Sequence, residues 1–331
     1  MGGKLPTMHA VEVRSLGDPS VLEWRARDEP APGAGEVAIR VTQTGVNFAD
    51  VQARRGAYHG GQQPPFVPGL DCTGTIVALG DGVDALRVGQ RVAAFPPSGS
   101  YAELVVAPAT TTYPLDPAIS DDDAASLLML VTAYNVLTLA GRLAPGESVL
   151  VHAGAGGVGS TAIQIARALG AGTIFATAGS EEKCAVARAA GAGVAIDYRR
   201  EDFAARVLAA TNGRGVDLIL DSVAGDVFTA GLTALAPFGR LVAFGNASGT
   251  PGTVRTNELH PSNRAVIGYS SGSYRKLRPA ALRPAAEASL RLVAEDKVHV
   301  IIGARFPLRA AAEAHRLVES RTGHGKVILT V

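Results

Sequence analysis

Apolar positions recur along this chain in two rhythms, and the change between them divides it. Over the first third, short runs rich in Val, Ile and Ala occur at Met8–Val13, Glu36–Thr44, Gly74–Leu79, Gln90–Ala94 and Ala102–Val106. Gly- and Pro-rich stretches such as Pro30–Gly35 and Pro64–Gly69 separate them. Runs of this kind predict strands and their punctuation predicts turns. The expectation is a compact, irregular β domain with long connecting loops.

From about Asp121 the period changes. Asp121–Ala140 reads as a helix, with acids at its start and Ala and Leu through its body. Strand and helix patterns then alternate. The strands are expected at Ser148–His152, Thr173–Ala178, Val194–Asp197, Val216–Asp221 and Arg240–Gly245, and the helices at Gly157–Leu169, Glu181–Ala190, Phe203–Thr211 and near Val227–Leu235. A last strand of this series falls near Arg264–Tyr269. Alternation at this spacing implies right-handed crossovers and a parallel, doubly wound α/β sheet. The chain then reads as a helix over Pro279–Glu295, a strand over Val298–Gly303, a helix over Arg309–Ser320 and a strand over Lys326–Val331. If these pieces rejoin the N-terminal domain, residues 130–268 form a dinucleotide-binding domain inserted into a discontinuous one made of 1–129 and 269–331.

Composition narrows the class. A chain of 331 residues, 47% apolar and 18% charged, suits two ordinary globular domains and argues against disorder. The formal net charge of +1, without a basic block or acidic tail, gives no footprint for nucleic acid. No stretch reaches the roughly 18 apolar residues of a membrane span. The first seven residues lack the apolar core of a signal peptide and read as a leader. Only Cys72 and Cys184 occur, far apart, so a disulfide framework is not expected and a cytoplasmic location is.

The sharpest chemical signal is Ala153-Gly154-Ala155-Gly156-Gly157-Val158-Gly159, which follows the apolar run Val149–Val151 and opens a helix. Glycines here permit positive φ, let a pyrophosphate approach the backbone and let the helix pack closely on the sheet. The helix N-terminus offers free N–H groups and partial positive charge to phosphate. A plain tight turn is the bland alternative, and the four further βα units weigh against it.

Cofactor choice turns on the end of the second strand, where an acid would bind the ribose hydroxyls of NAD. The chain reads Ala176-Thr177-Ala178-Gly179-Ser180 there, with no acid at the strand end, and Lys183 follows. A hydroxyl and a cation suit the 2′-phosphate of NADPH. Glu181 and Glu182 weigh the other way, although acids also belong in the first turn of a helix.

These residues, with the N-terminal third, resemble the medium-chain dehydrogenase/reductases, and among them the zinc-independent NADPH:quinone oxidoreductases. The resemblance rests on Gly45–Asp50, Pro68–Gly74, Val88–Val92, Gly154–Gly159, Asp221–Val223, Phe244–Asn246 and Glu319–Arg321. It implies a Rossmann domain inserted into a GroES-like catalytic domain. Zinc-dependent relatives carry Cys where this chain has Asn47 and Gly-His-Glu where it has Gly69-Leu70-Asp71, so no metal is expected. Cys72, His59 and His152 read as a small buried residue and two local hydrogen-bonders. The resemblance implies that Asn47 and Tyr58 line the pocket beside the nicotinamide and that Thr132 approaches it. Ser222, Phe244, Gly245 and Asn246 would border the cofactor at the strand ends, and Tyr198 and Arg321 would join Gly179, Ser180 and Lys183 around the 2′-phosphate.

Without a Lewis acid, the fitting acceptor is already electrophilic. The expected reaction is hydride transfer from NADPH to a quinone, with Asn47 and Tyr58 donating to the acceptor oxygen and Tyr58 or water supplying the proton. An enoyl or alkenal reductase acting on an α,β-unsaturated carbonyl is the alternative. A non-catalytic nucleotide- or nucleic-acid-binding protein is the alternative of another class. The apolar strand near Arg264–Tyr269 suggests a homodimer built edge to edge.

Overall fold

The computed structural model describes residues 6–58 and 61–331. His59 therefore lies outside the described residues. The chain divides into two units: a β-rich unit of Met1–Leu128, Gly272–Ala294 and Val300–Val331, and a doubly wound unit of Met129–Ser271 with Glu295–His299. The last of these segments was expected to stay with the C-terminal pieces. Gln164 explains the difference, because its amide brackets His299, accepting the backbone N–H at 2.8 Å and donating to the carbonyl at 2.9 Å.

The β-rich unit opens with an antiparallel ribbon of β1 (Thr7–Val13) and β2 (Leu22–Asp28). There follow β3 (Glu36–Val46), α1 (Phe48–Arg55), β4 (Cys72–Leu79), β5 (Arg91–Ala94), β6 (Leu104–Pro108) and β7 (Thr112–Pro114). The helix expected over Asp121–Ala140 is not continuous. It is α2 (Asp121–Ala124), a break, α3 (Leu127–Asn135) and a π-helical turn over Val136–Ala140. At the break Ser126 turns its hydroxyl back to the Asp122 carbonyl at 2.8 Å, a local bond that competes with helix continuation.

In the doubly wound unit come β8 (Val149–Val151), α4 (Gly157–Ala168), β9 (Ile174–Ala178), α5 (Glu181–Ala189), β10 (Val194–Asp197), α6 (Phe203–Ala210), β11 (Val216–Asp221), α7 (Gly225–Ala234), β12 (Leu235–Ala243) and β13 (Ala265–Gly268). They form a parallel sheet in the order β10-β9-β8-β11-β12-β13. Val149, Leu150, Val151, Phe175, Leu218, Ile219 and Leu220 are all buried, as strands covered on both faces require. Strand order reverses between β8 and β11, the switch point at which such sheets bind ligands.

The chain ends with α8 (Ser271–Leu277), α9 (Arg283–Ala294), β14 (Ile302–Pro307), α10 (Ala311–Ser320) and β15 (Lys326–Thr330). β14 begins four residues later than the expected strand. β15 pairs antiparallel with β3, completing a sheet in the order β14-β15-β3-β4-β5-β7, with β6 also on β3. Val37, Ile39, Ile76, Val92 and Val105 pack at its core.

His315 of α10 is fully buried in the same unit, where its Nε2 shares a 3.1 Å hydrogen bond with the Tyr101 hydroxyl. Burial, and then the Arg54 charge, pull its pKa down to about 3 from an ordinary 6.5. Between those values the unfolded chain binds a proton that the native one refuses, so stability falls as pH drops through 6.5 and levels off near 3. The slope is about 1.4 kcal/mol per pH unit. Denaturant titrations of wild type and His315→Gln are expected to show the wild-type advantage shrinking by about 2 kcal/mol between pH 7 and pH 5. A constant difference would mean that His315 takes up its proton as readily in the fold as in the unfolded chain.

Candidate active site

The turn between β8 and α4 holds Gly154, Ala155, Gly156, Gly157, Val158 and Gly159. Gly156 is the N-cap of α4 and no side chain caps the helix, so its first N–H groups are available to an anion. The expectation of left-handed glycines fails here. None of these glycines has positive φ, and the left-handed residue is Ala153 at φ 54°. What the glycines supply is room. A Cβ on Gly159 would stand 2.2 Å from the Ala153 carbonyl oxygen, and one on Gly154 would stand 2.7 Å from the Ala176 Cβ.

One residue upstream, at the end of β8, buried His152 bonds through Nδ1 to the Thr177 hydroxyl at 2.9 Å. Its burial pulls the imidazole pKa down to about 4. On the neighbouring strand Asp221 Oδ1 accepts the N–H groups of Val223 and Ala224 at 2.7 and 3.0 Å. This ties down the turn that carries Ser222. The Ser222 carbonyl accepts the Ala247 N–H at 3.0 Å, and a Cβ on Gly245 would come within 2.7 Å of that oxygen. Ser222 and the turn Phe244-Gly245-Asn246 are thus packed backbone to backbone at the C-terminal edge of the sheet.

At the end of β9, Ser180 is the N-cap of α5 and its hydroxyl oxygen accepts the Lys183 N–H at 3.3 Å. Glu181 is paired with Arg188. Tyr198, following β10, is half exposed, and its hydroxyl lies 2.7 Å from where a Gly179 Cβ would be. Glycine at 179 is therefore what leaves the phenol its place at the end of β9. Thr132 is buried in α3 of this unit. Arg321 belongs to the β-rich unit, where it is exposed and ends α10 at φ 55°.

In the β-rich unit β3 runs into Asn47, the N-cap of α1. The register of β15 on β3 sets Val327 against Val46, which brings Lys326 to Asn47. The Lys326 ammonium donates to Asn47 Oδ1 at 2.6 Å. Asn47 Nδ2 donates to Asp71 Oδ1 at 2.7 Å and to the Gly45 carbonyl at 3.3 Å. Asp71 Oδ2 accepts the Leu128 N–H at 2.9 Å and stands 3.8 Å from the ammonium. Asp50 accepts the Asn47 N–H at 2.9 Å and the Gly69 N–H at 3.1 Å. Burial pushes the Asp50 carboxyl up to about 6, against the pull of the Asn47 N–H. Tyr58 lies in the loop beyond α1, partly exposed.

Residues 33–117 match the alcohol dehydrogenase GroES-like domain, and residues 157–295 match the family described as zinc-binding dehydrogenase. A quinone oxidoreductase of Pseudomonas aeruginosa is 36% identical over 323 residues, which cover 96% of this chain and 98% of that protein. The chain belongs to the medium-chain dehydrogenase/reductase superfamily, with quinone oxidoreductases among its relatives. The structure of Escherichia coli quinone oxidoreductase complexed with NADPH superposes with a TM-score of 0.90 at 32% identity, covering 98% of this chain and all of that one. A mycocerosic acid synthase-like polyketide synthase of Mycobacterium tuberculosis is 36% identical over 97% of this chain, which spans only 15% of that longer protein.

The residues around Asn47 do not fit the metal that one family description names. Leu70 has no donor atom, Asn47 offers an amide already bonded to an ammonium, and Cys72 is buried with its thiol pushed far up by burial. Among the described residues no group of three His, Cys, Asp or Glu could hold an ion. The dinucleotide fits better, in an uncapped helix start with backbone packed too closely for side chains. Lys326 and Asp71 are the members of the site that pattern reading missed. The signal for α1 was present, since Asn47 and Asp50 stand at N-cap and N3 spacing.

Proposed function

We propose that this protein reduces quinones with NADPH and without a metal. The observation that carries the reading is the full-length likeness to a quinone oxidoreductase, which matches both units together. Gly154–Gly159 would hold the pyrophosphate on the N–H groups of α4, and Ser180, Lys183, Tyr198 and Arg321 would surround the 2′-phosphate. Thr132, Ser222 and Phe244–Asn246 would border the rest of the cofactor. Bound there, NADPH supplies a hydride to the acceptor.

The chain's own residues then manage charge and proton. Asn47 donates through the Nδ2 hydrogen that now makes the long 3.3 Å bond to Gly45, stabilising negative charge as it builds on the acceptor oxygen. Tyr58 or a water delivers the proton. The reading includes a homodimer formed along the edge strand β13, whose side chains are half-buried, and a cytoplasmic location. The 36% identity to a mycocerosic acid synthase-like polyketide synthase favours a second reading in which the acceptor is an enoyl or alkenal carbonyl.

Following NADPH absorbance with a benzoquinone, a 2-alkenal and an enoyl thioester tests both. The quinone is expected to give the highest kcat/KM. A tenfold preference for either conjugated carbonyl would give the second reading precedence, and no oxidation with any of them despite tight binding would overturn both. Lys183→Met is expected to weaken NADPH and leave NADH unchanged. Loss of one charged hydrogen bond costs about 1.5–3 kcal/mol, or about 10- to 150-fold in the ratio of dissociation constants. Fluorescence titration with the two nucleotides measures it, and an equal loss for both would remove Lys183 from the 2′-phosphate.

A further inference from the structure

The Lys326 ammonium is buried, with only 4% of its side chain exposed, and Asp71 beside it is fully buried. Placing an ion pair out of water is costly, and a hydrophobic pair of similar volume often serves stability as well. This pair is built with care all the same. A Cβ at Gly45 would come within 2.5 Å of both Lys326 Cε and Nζ, so only glycine leaves the ammonium its place. Two hydroxyls, Thr44 Oγ1 at 2.8 Å and Ser100 Oγ at 3.1 Å, hold the Asp71 carbonyl. The Leu128 N–H fixes one carboxylate oxygen.

What the two charges share is one amide. Lys326 holds the oxygen end of Asn47 at 2.6 Å and Asp71 holds the nitrogen end at 2.7 Å. An ammonium cannot accept and a carboxylate cannot donate, so the amide has one permitted orientation. One Nδ2 hydrogen is committed to Asp71, and the other, on the long bond to Gly45, is the one left to give. The Lys326 cation on the amide oxygen also draws electron density from the nitrogen and so strengthens that remaining donor.

We propose that Lys326 and Asp71 are positioning residues that lock and polarise the Asn47 amide, so that a single N–H is presented to the acceptor oxygen. The inference rests on the reading of Asn47 as the acceptor's hydrogen-bond donor. Lys326→Met alone leaves Asp71 and Asp50 without a countercharge and can fail to fold, so the decisive variant is Lys326→Met/Asp71→Asn, which removes the pair together. It is expected to lower kcat about 10- to 100-fold, as loss of about 1 Å of placement does. The acceptor KM and the NADPH dissociation constant should change less than threefold. Combined with Asn47→Ala, it should add no further loss of kcat. The Asn47 side-chain amide in the cofactor-free protein should exchange its hydrogens faster in the variant.

Unchanged kcat in the double variant, or losses that multiply with those of Asn47→Ala, would overturn the inference while leaving the quinone-reductase reading intact. So would a double variant that does not fold, which would make the pair structural. Unchanged turnover in Asn47→Ala alone would overturn both the inference and the donor role of Asn47.

Discussion

Gly159→Ala is expected to weaken NADPH binding at least 100-fold while leaving the sheet folded. The added Cβ meets backbone only, at 2.2 Å from the Ala153 oxygen, 2.9 Å from its carbonyl carbon and 3.0 Å from Gly154 Cα. Neither partner is free to retreat. The Ala153 carbonyl accepts the Gly156 N–H at 2.9 Å, and the Gly154 N–H is tied to Thr177 at 2.9 Å. Relief must come from moving the start of α4 off β8, and about 1 Å of displacement is enough to cost 100-fold in a positioned site. The cost to the cofactor-free protein is about 1–3 kcal/mol of overpacking. Gly193→Ala, outside the turn, is the control, since its Cβ would meet a single atom at 3.8 Å. Fluorescence titration gives the affinity and denaturant unfolding the stability. If Gly159→Ala binds NADPH normally, the helix start does not hold the pyrophosphate.

The doubly wound half of the fold was legible because its strands are buried on both faces and appear as unbroken apolar runs, with Gly and Asp at the bends. Val194–Asp197 and Val216–Asp221 fall where pattern reading put them. The β-rich half was harder to read. Leu22–Asp28 is an exposed ribbon strand with no buried face to impose alternation, and it was missed. Phe48–Arg55 was read as a motif rather than a helix, because its polar residues mask the period. The Gly-rich turn was found, although its left-handed residue is Ala153, whose strain leaves no mark in composition. Lys326 and Asp71 lay beyond local pattern altogether. Each is an ordinary charge in its own segment; the β15–β3 register brings Lys326 to Asn47, and the β3–β4 register brings Asp71.

Asn47→Ala is expected to lower kcat about 100- to 1000-fold, the 2.7–4 kcal/mol of one preorganised donor to a developing oxyanion. The dissociation constant for NADPH should stay within about twofold, because Asn47 is read as a donor to the acceptor and not to the nucleotide. Stability changes for a separate reason. The substitution strips Lys326 of its 2.6 Å acceptor and Asp71 of its 2.7 Å donor. Leaving such groups unpaired costs about 1–3 kcal/mol. Asn47→Asp separates the two effects. Its carboxylate still accepts from Lys326 but cannot donate to an acceptor oxygen, and it faces Asp71 with like charge. Turnover should be as low as in the alanine variant, even though Lys326 keeps a partner. Pre-steady-state and steady-state NADPH oxidation with a quinone, run beside unfolding curves for all three proteins, distinguishes the outcomes. Turnover that tracks stability across the series, instead of the presence of the Nδ2 donor, would remove Asn47 from the chemistry and leave it as a brace for the buried charges.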